Sequence, residues 1–193
     1  MRSFINVKKG VSTINKLTNQ AGIFPNRVIT HNIKLPFGEM LAGATSKGIC
    51  LLEFIDTNRV EMQLPRLEKG FKAKITEGNS PFFNQLEDEL QSYFAGELQR
   101  FTIPLDTKGT EFQMQAWDAL LNIPYGETRS YLEQAKAINK PKAFRAVASA
   151  NRNNRIGIII PCHRVIAKNG GLAGYGGGLD RKEFLINLEK KHR

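Results

Sequence analysis

The chain has 193 residues and a net charge of +10, with 41% hydrophobic and 24% charged residues, a composition typical of a globular protein with a buried core. No apolar run approaches the roughly 18 residues of a membrane span, and no signal peptide is recognisable. The two cysteines, Cys50 and Cys162, exclude a disulfide framework and a C-x-x-C zinc site. Free thiols and a cytoplasmic location, or a nuclear one in a nucleated cell, are the expectation.

The first third of the chain predicts an arm followed by short strands. Residues 1–27 show weak periodicity, so we predict a poorly determined arm, or a remnant of a longer or fused chain. Residues 28–33, 40–45 and 49–55 are apolar and separated by turn residues, a pattern that predicts hairpin-linked strands. Cys50 lies within the last of them and is expected to be a small core residue.

A helix and one more strand are predicted to complete an N-terminal domain. Ser80 is a suitable N-cap, and Pro81 suits the first helical position. Apolar residues then recur at helical spacing until Gly96, which predicts the helix end. Residues 101–103 resemble a strand. Residues 28–104 are therefore expected to form an α+β domain with a small antiparallel sheet and a helix.

Residues 105–193 predict a mostly α domain. Thr110 and Gln113 match a capping box for a first helix. Thr128 is expected to cap a second helix over residues 129–138, and Pro141 to open a third over residues 142–151. Two short helices joined by a tight turn are typical of a helix-turn-helix or winged-helix-like fold. A last helix is predicted over residues 181–190.

The charge of this domain points to a polyanionic partner. Between Glu133 and Asp180 the chain has no acidic residue and carries eight lysines and arginines. Such a one-sign field attracts nucleic acid, although a solvated basic face is the alternative. Arg145 is a long donor on an alanine-rich predicted helix, which suits insertion into DNA, whereas the alanines could also pack on a core.

Cys162 is the candidate nucleophile. The basic surroundings and the adjacent His163 are expected to favour its thiolate, with a bridging water as one way to couple the two side chains. Glu189, in the last helix, could orient His163. Residues 156–160 form either a buried strand or the end of a loop, and the glycine-rich residues 169–178 could approach a flat ligand closely. An inert buried cysteine is the alternative.

Residues 161–165, PCHRV, resemble the active-site motif of the O-6-alkylguanine-DNA alkyltransferases, also called methylated-DNA–protein-cysteine methyltransferases. The resemblance is dense over about residues 105–190 and looser over residues 30–104. Further motifs are matched at residues 109–113, Trp117, residues 123–128, 130–131, 141–143 and 145–147, Asn154, Tyr175 and residues 177–179.

The resemblance implies a role for each matched residue. Cys162 would accept the alkyl group, His163 would take its proton through a water, and Glu189 would hold His163. Tyr131 would rotate the target nucleotide and later protonate the guanine. Arg145 would insert into the base stack, and Asn154 would link the recognition helix to the cysteine loop. The residues that would line the pocket are Val165, Tyr175 and Gly176. Phosphate or groove contacts are implied for Gln113, Lys140 and Lys168.

The function implied is direct reversal of DNA damage. A monomer without cofactor or metal would take the alkyl group from O-6-alkylguanine in double-stranded DNA, with O-4-alkylthymine as a second candidate, and would be consumed in one turnover. Gly176 departs from members with serine there, and Gly157 from members with proline. Three alternatives remain: an alkyltransferase-like lesion binder, a cysteine hydrolase and a simple transcription factor.

Overall fold

The computed structural model describes residues 26–193. The predicted arm therefore lies outside the described residues, apart from Asn26 and Arg27, which belong to the first strand. Within residues 26–193, every helix is too short or too polar to cross a membrane.

The N-terminal part is built on a mixed four-stranded sheet. Its strands are β1 (Asn26–Leu35), β2 (Gly38–Ala44), β3 (Ile49–Phe54) and β4 (Ala73–Glu77), in the order β3-β2-β1-β4. β1, β2 and β3 pair antiparallel as predicted, but β4 pairs parallel with β1. The expectation of a purely antiparallel sheet was wrong because a helical crossover connects β3 to β4, and such a connection returns the chain in the same direction.

That crossover, helix α1 (Arg59–Phe71), was not predicted, and neither was β4. Asn58 at its N-cap makes no side-chain cap bond, and Pro65 lies inside the helix, so the usual helix signals are weak. Its apolar face, including Leu64 and Leu67, packs against Val28 and other residues on one side of the sheet. Tertiary burial therefore stabilises α1 where its local signals do not.

Helix α2 (Pro81–Ala95) confirms the predicted caps. Ser80 accepts a hydrogen bond from the Phe82 backbone, and Gly96 ends the helix with φ of 80°. The strand predicted over residues 101–103 is wrong. The backbone N–H groups of Thr102 and Ile103 donate to the Glu89 carboxylate at 3.0 and 3.3 Å, so a side chain of α2 replaces a strand partner for this segment.

The C-terminal part is mostly helical. Its elements are α3 (Glu111–Leu121), β5 (Arg129–Ser130), α4 (Tyr131–Ala137), α5 (Phe144–Arg152), β6 (Val165–Ile166) and α6 (Leu179–Lys191). The Thr110–Gln113 capping box is present. The second helix is capped by Ser130, however, and not by Thr128, because Arg129 and Ser130 first pair with β6.

Buried polar contacts hold α4 and α5 together as a helix-turn-helix. The side-chain amides of Gln134 and Asn151 bond to each other in both directions, at 3.0 and 2.7 Å. The Trp117 indole donates to the Ala150 carbonyl at 2.9 Å, which ties α3 to the same helix. These bonds leave the opposite face of α5 exposed, with Arg145 on it.

The segment before Cys162 is a buried loop that joins the two parts. The Leu52 N–H of β3 donates to the Arg155 carbonyl, and the Gly157 N–H donates back to Leu52. Ile158 has φ of 68°, and the Ile159 N–H bonds to the Gly157 carbonyl at 2.8 Å, which is a γ-turn. Of the two readings of residues 156–160, the loop is therefore the correct one.

The predicted fold class is thus confirmed: a small α+β part followed by a mostly α helix-turn-helix part. One hydrophobic core extends through both, since buried residues such as Leu52, Trp117 and Ile160 belong to the same cluster. The exact domain boundary, at residues 104 and 105, stays a prediction.

Candidate functional site

Cys162 begins a short 3-10 turn, Cys162–Arg164, directly after the buried isoleucine loop. Pro161 has φ and ψ of −83° and 63°, and the Cys162 N–H bonds to the Ile160 carbonyl at 2.8 Å, an inverse γ-turn. This tight turn brings Cys162 from the core to the wall of a cavity, where it is partly exposed.

The cavity has a volume of about 690 Å³ and four walls, one of which is formed by α5 with Ala148, Ser149, Asn151 and Arg152. Tyr131 comes from α4, and Tyr175 with Gly176 from the glycine-rich loop. The fourth wall, which the sequence did not predict, is the start of α1, with Arg59 and Met62. The predicted pocket residue Val165 is fully buried and is not among the lining residues.

The side chain of Asn154 contacts Cys162 and holds it in position. Its side-chain amide lies 3.4 Å from Cys162 Sγ and donates to the Ile160 carbonyl at 2.9 Å. Its Oδ1 accepts from the Ile156 N–H at 3.0 Å. Both ends of this amide are therefore held, so that its N–H points toward the sulfur.

The resting sulfur is a thiol, contrary to the expectation that its surroundings favour the thiolate. Burial raises the pKa of Cys162, and the hydrogen bond from Asn154 and the charges of Arg59 and Lys182 only partly offset it. Burial disfavours the charged form, and here it outweighs the neighbouring cations. Removal of the thiol proton must therefore be part of any reaction of Cys162.

His163 is fully buried and lies with Nε2 at 2.7 Å from Glu189 Oε1. Burial lowers the pKa of His163 despite the favourable contact with Glu189, which leaves a neutral imidazole. Because Nε2 faces a carboxylate, we assign it the proton, and Nδ1 is then an acceptor. Among the described protein groups Nδ1 has no hydrogen-bond partner, so it is free to receive a proton.

Glu189 is the acceptor for several buried donors besides His163. Tyr93 OH donates to it at 2.7 Å, Arg164 Nε at 2.8 Å and the Gly126 N–H at 3.2 Å. Burial alone would raise the pKa of Glu189, but His163 and Arg164 outweigh it and lower the pKa to about 2. Glu189 is therefore ionised and fixed in position.

Lys182 is a buried cation that the sequence analysis missed. Its Nζ donates to the Val165 carbonyl at 2.6 Å and to the Ala173 carbonyl at 2.7 Å. Burial lowers the pKa of Lys182 to about 8. The helical spacing could have predicted this burial. Lys182 precedes the buried residues Leu185, Ile186 and Glu189 by three, four and seven positions, which places it on the core face of α6.

Arg59 and Glu53 form a second buried ion pair beside the cavity. Arg59 Nε lies 2.9 Å from Glu53 Oε2. The other guanidinium nitrogens donate to the backbone carbonyls of Arg152 at 2.7 Å and Asn154 at 2.6 Å. Glu53 is only six residues from Arg59, but no local pattern could have revealed the two carbonyl contacts, because Arg152 and Asn154 are 93 and 95 residues away in the chain.

The residues predicted to contact DNA differ in their exposure and in their hydrogen-bond partners. Arg145 and Lys168 are exposed. Lys140 Nζ donates to Gln115 Oε1 at 2.8 Å and lies 5.1 Å from the centre of the Phe112 ring. Gln113 Oε1 accepts from the Thr110 N–H at 3.0 Å, so its side chain serves the helix cap. Tyr131 OH donates to the Ala173 carbonyl at 3.0 Å.

Comparison with known families gives two matches. Residues 28–107 match the family described as 6-O-methylguanine DNA methyltransferase, ribonuclease-like domain. Residues 111–191 match the family described as 6-O-methylguanine DNA methyltransferase, DNA binding domain. The two matches together extend over nearly all of the described residues.

Similar proteins carry the corresponding name. A methylated-DNA–protein-cysteine methyltransferase of Methanosarcina mazei is 46% identical over 165 residues, which is 84% of this chain and 97% of the relative. One of Mycobacterium tuberculosis is 57% identical over 108 residues, or 56% of this chain and 66% of the relative. The crystal structure of Mycobacterium tuberculosis OGT in complex with DNA is 41% identical and covers 86% of this chain and 94% of its own, with a TM-score of 0.71.

Proposed function

The chain belongs to the 6-O-methylguanine DNA methyltransferase family, and we propose that it repairs DNA by moving the alkyl group of O-6-alkylguanine onto Cys162. The observation that carries this assignment is the cavity. The partly exposed Cys162 lies at its wall, and the side-chain amide of Asn154 donates to the sulfur. His163, the next residue in the chain, is buried and paired with Glu189.

The proposed reaction is a displacement at the alkyl carbon. The Cys162 thiol proton passes through a water to His163 Nδ1, whose pairing with Glu189 stabilises the imidazolium that forms. The sulfur then bonds to the alkyl carbon, and the bond from that carbon to O6 breaks with its electron pair left on the guanine. Tyr131 protonates the guanine, and the proton held by the His163 imidazolium is then released to solvent, from which Tyr131 regains its own proton. The products are a thioether on Cys162 and an unmodified guanine, so each molecule reacts once.

The target base has to leave the duplex to reach Cys162, at a cost of a few kcal/mol. We assign Arg145 to the gap left in the base stack, because it is an exposed cation on the open face of α5. Small residues of the same helix, such as Ala146 and Ser149, are also exposed and suit close approach to a minor groove. Gln113, Lys140 and Lys168 are the proposed phosphate or groove contacts, and duplex DNA carrying alkylguanine is the proposed partner.

The flipped base is proposed to enter between Tyr131 and the glycine-rich loop. Tyr175 and Gly176 line the cavity and support this assignment. Val165 is buried and is not assigned to the lining; its carbonyl is held by Lys182. Both cysteines are free, which is usual in a reducing compartment and supports a cytoplasmic location, or a nuclear one in a nucleated cell. A monomer is the proposed state.

The decisive experiment is incubation with a duplex carrying one O-6-methylguanine, followed by mass measurement of the intact protein and of its peptides. We expect one methyl mass for each molecule, on the peptide that contains Cys162, and no further turnover. Modification of another residue with Cys162 untouched would refute the proposal, and so would repeated turnover.

Two matched variants serve as controls for this measurement. Cys162→Ser should bind the duplex with unchanged affinity and take no methyl group. Cys50→Ser removes the other thiol, which is buried and whose pKa burial raises to about 12, so it should still be methylated at Cys162. Loss of transfer in Cys50→Ser with its fold intact would contradict the assignment of Cys162 as sole acceptor.

A further inference from the structure

Gly176, on the wall of the cavity, has no room for a side chain. A Cβ atom at this position would lie 2.5 Å from Arg59 Nε and 2.6 Å from Arg59 Cζ, far inside van der Waals contact. Gly176 is not among the glycines with positive φ, so its backbone conformation would accept any L residue. The three atoms nearest to that Cβ all belong to Arg59, so the Arg59 side chain leaves room only for glycine here.

Arg59 cannot easily move away from that contact. It is 6% exposed, and its guanidinium is held by Glu53 and by the carbonyls of Arg152 and Asn154. A bidentate arginine–carboxylate pair is geometrically demanding. A side chain added at Gly176 would have to displace either the glycine-rich loop or this bonded guanidinium.

The groups that Arg59 contacts belong to different walls of the cavity. Arg152 is the last residue of α5, the helix that carries Arg145. Asn154 donates its side-chain amide to Cys162 Sγ. Gly176 belongs to the glycine-rich loop. One side chain from the N-terminal part thus sets the distances between α5, the nucleophile's amide partner and the loop.

We propose that Arg59 is a positioning residue for alkyl transfer, which holds α5, Asn154 and the glycine-rich loop in register around Cys162 and to which Gly176 is matched in shape. This inference rests on the proposed function. It assigns to the N-terminal part a direct share in the geometry of the pocket. A displacement of even 1 Å at a reacting group can slow a reaction about 100-fold.

The test is a double-mutant cycle read by single-turnover kinetics. Wild type, Gly176→Ala, Arg59→Ala and the double variant are each mixed with a duplex carrying one O-6-methylguanine. The maximal rate, the half-saturating DNA concentration and the total methyl incorporated are measured separately. Because the total reports the correctly folded fraction, a merely structural defect lowers the total and leaves the rate of the remaining molecules unchanged.

We expect Gly176→Ala to lower the maximal rate about 10-fold in the wild-type background and less than about two-fold in the Arg59→Ala background, since the clash is then absent. Arg59→Ala itself should lower the maximal rate about 10-fold or more, with the half-saturating concentration and the total methyl incorporated nearly unchanged. Effects that simply multiply would overturn the inference. Absence of transfer in the wild type would instead overturn the proposed function.

Two further variants keep the test decisive. If Arg59→Ala leaves Glu53 unpaired and prevents folding, the cycle is run in Glu53→Gln/Arg59→Ala, which has no unpaired buried charge. Arg66→Ala is the matched control, because Arg66 also extends from α1 to the segment after α5 and donates to Asn153 Oδ1 at 2.9 Å, but at an exposed site. Its maximal rate should stay within about two-fold of wild type, and an equal loss in Arg66→Ala and Arg59→Ala would refute a specific role for Arg59.

Discussion

Two buried arginine–glutamate pairs support the segment around Cys162, and they do so in different ways. Arg164 pairs with Glu189, which also accepts from His163. Arg59 pairs with Glu53 and donates to backbone carbonyls of the cavity wall. In the first pair the carboxylate is the shared group, whereas in the second it is the guanidinium.

This difference separates a chemical role from a geometrical one. In the proposed reaction Glu189 sets the protonation and orientation of His163, so its pair would act on the proton that leaves Cys162. Arg59 carries no proton in the proposed reaction and acts only on distances. Buried ion pairs contribute little net stability, but loss of one partner is costly. The two pairs should therefore differ most in how their loss changes the reaction, and less in how it changes folding.

The largest expected effect comes from Glu189→Gln. An amide keeps the shape but leaves Arg164 buried without its counter-charge, which should lower the free energy of unfolding by about 3–5 kcal/mol. It also no longer fixes the proton on His163 Nε2, so the maximal transfer rate should fall about 100-fold. Urea denaturation and single-turnover kinetics measure the two losses.

Glu183→Gln is the control for that variant, since Glu183 lies on the same helix and is exposed. Its stability should stay within about 0.5 kcal/mol of wild type. If Glu189→Gln were as stable as this control and transferred the alkyl group at the same rate, the proposed difference between the two ion pairs would be refuted.

The second-largest expected effect is a loss of folding stability at low pH, caused by protonation of Glu189. The pKa of Glu189 is lowered from 4.5 to about 2, so the unfolded chain binds the proton more tightly than the folded protein. Its contribution is complete above about pH 5 and is lost as pH falls toward 2. At about 1.36 kcal/mol for each pH unit, the loss is about 3 kcal/mol.

Denaturant unfolding at stepped pH values checks this expectation. Glu183→Gln should follow the wild-type curve, while Glu189→Gln should lack the part of the acid loss that Glu189 contributes. A wild-type slope that Glu189→Gln retains in full would assign the acid sensitivity to other carboxyl groups.

The smallest expected effect comes from Asn154, whose backbone contacts Arg59 and whose side chain contacts the sulfur of Cys162. Asn154→Ala removes the amide hydrogen bond to Cys162 Sγ and the bonds to Ile160 and Ile156, while its backbone carbonyl still accepts from Arg59. The bond to the sulfur is worth about 1–1.5 kcal/mol, so its loss should slow transfer about 10-fold, and the other two losses should lower stability. Asn153→Ala, the neighbouring amide without contact to Cys162, should react like wild type, and equal rates in both variants would remove Asn154 from the link.

Local signals predicted much of the fold but failed where partners are distant in the chain. The caps at Ser80 and Thr110 were read correctly because capping bonds join residues two or three positions apart. Helix α1 was missed because only packing against the sheet stabilises it. Thr128 was assigned a cap that Ser130 makes, since the pairing with β6 could not be seen from the sequence.

The site divides in the same manner. The PCHRV motif and its neighbours identified Cys162, His163 and Glu189 as candidates before any coordinates, and the structure brings the last two together. Lys182 was within reach of the helical period of α6 but was not read. Arg59 was out of reach, because its carbonyl partners are 93 and 95 residues away.

By itself, the sequence determined the family, the charge around Cys162 and the choice of Cys162 as candidate nucleophile, because these depend on residue identity and short spacing. The tertiary structure decided that the cysteine rests as a thiol, since burial outweighs the neighbouring cations. It also decided that the N-terminal part forms one wall of the pocket. Desolvation and long-range packing depend on which distant segments meet, and no local pattern encodes that.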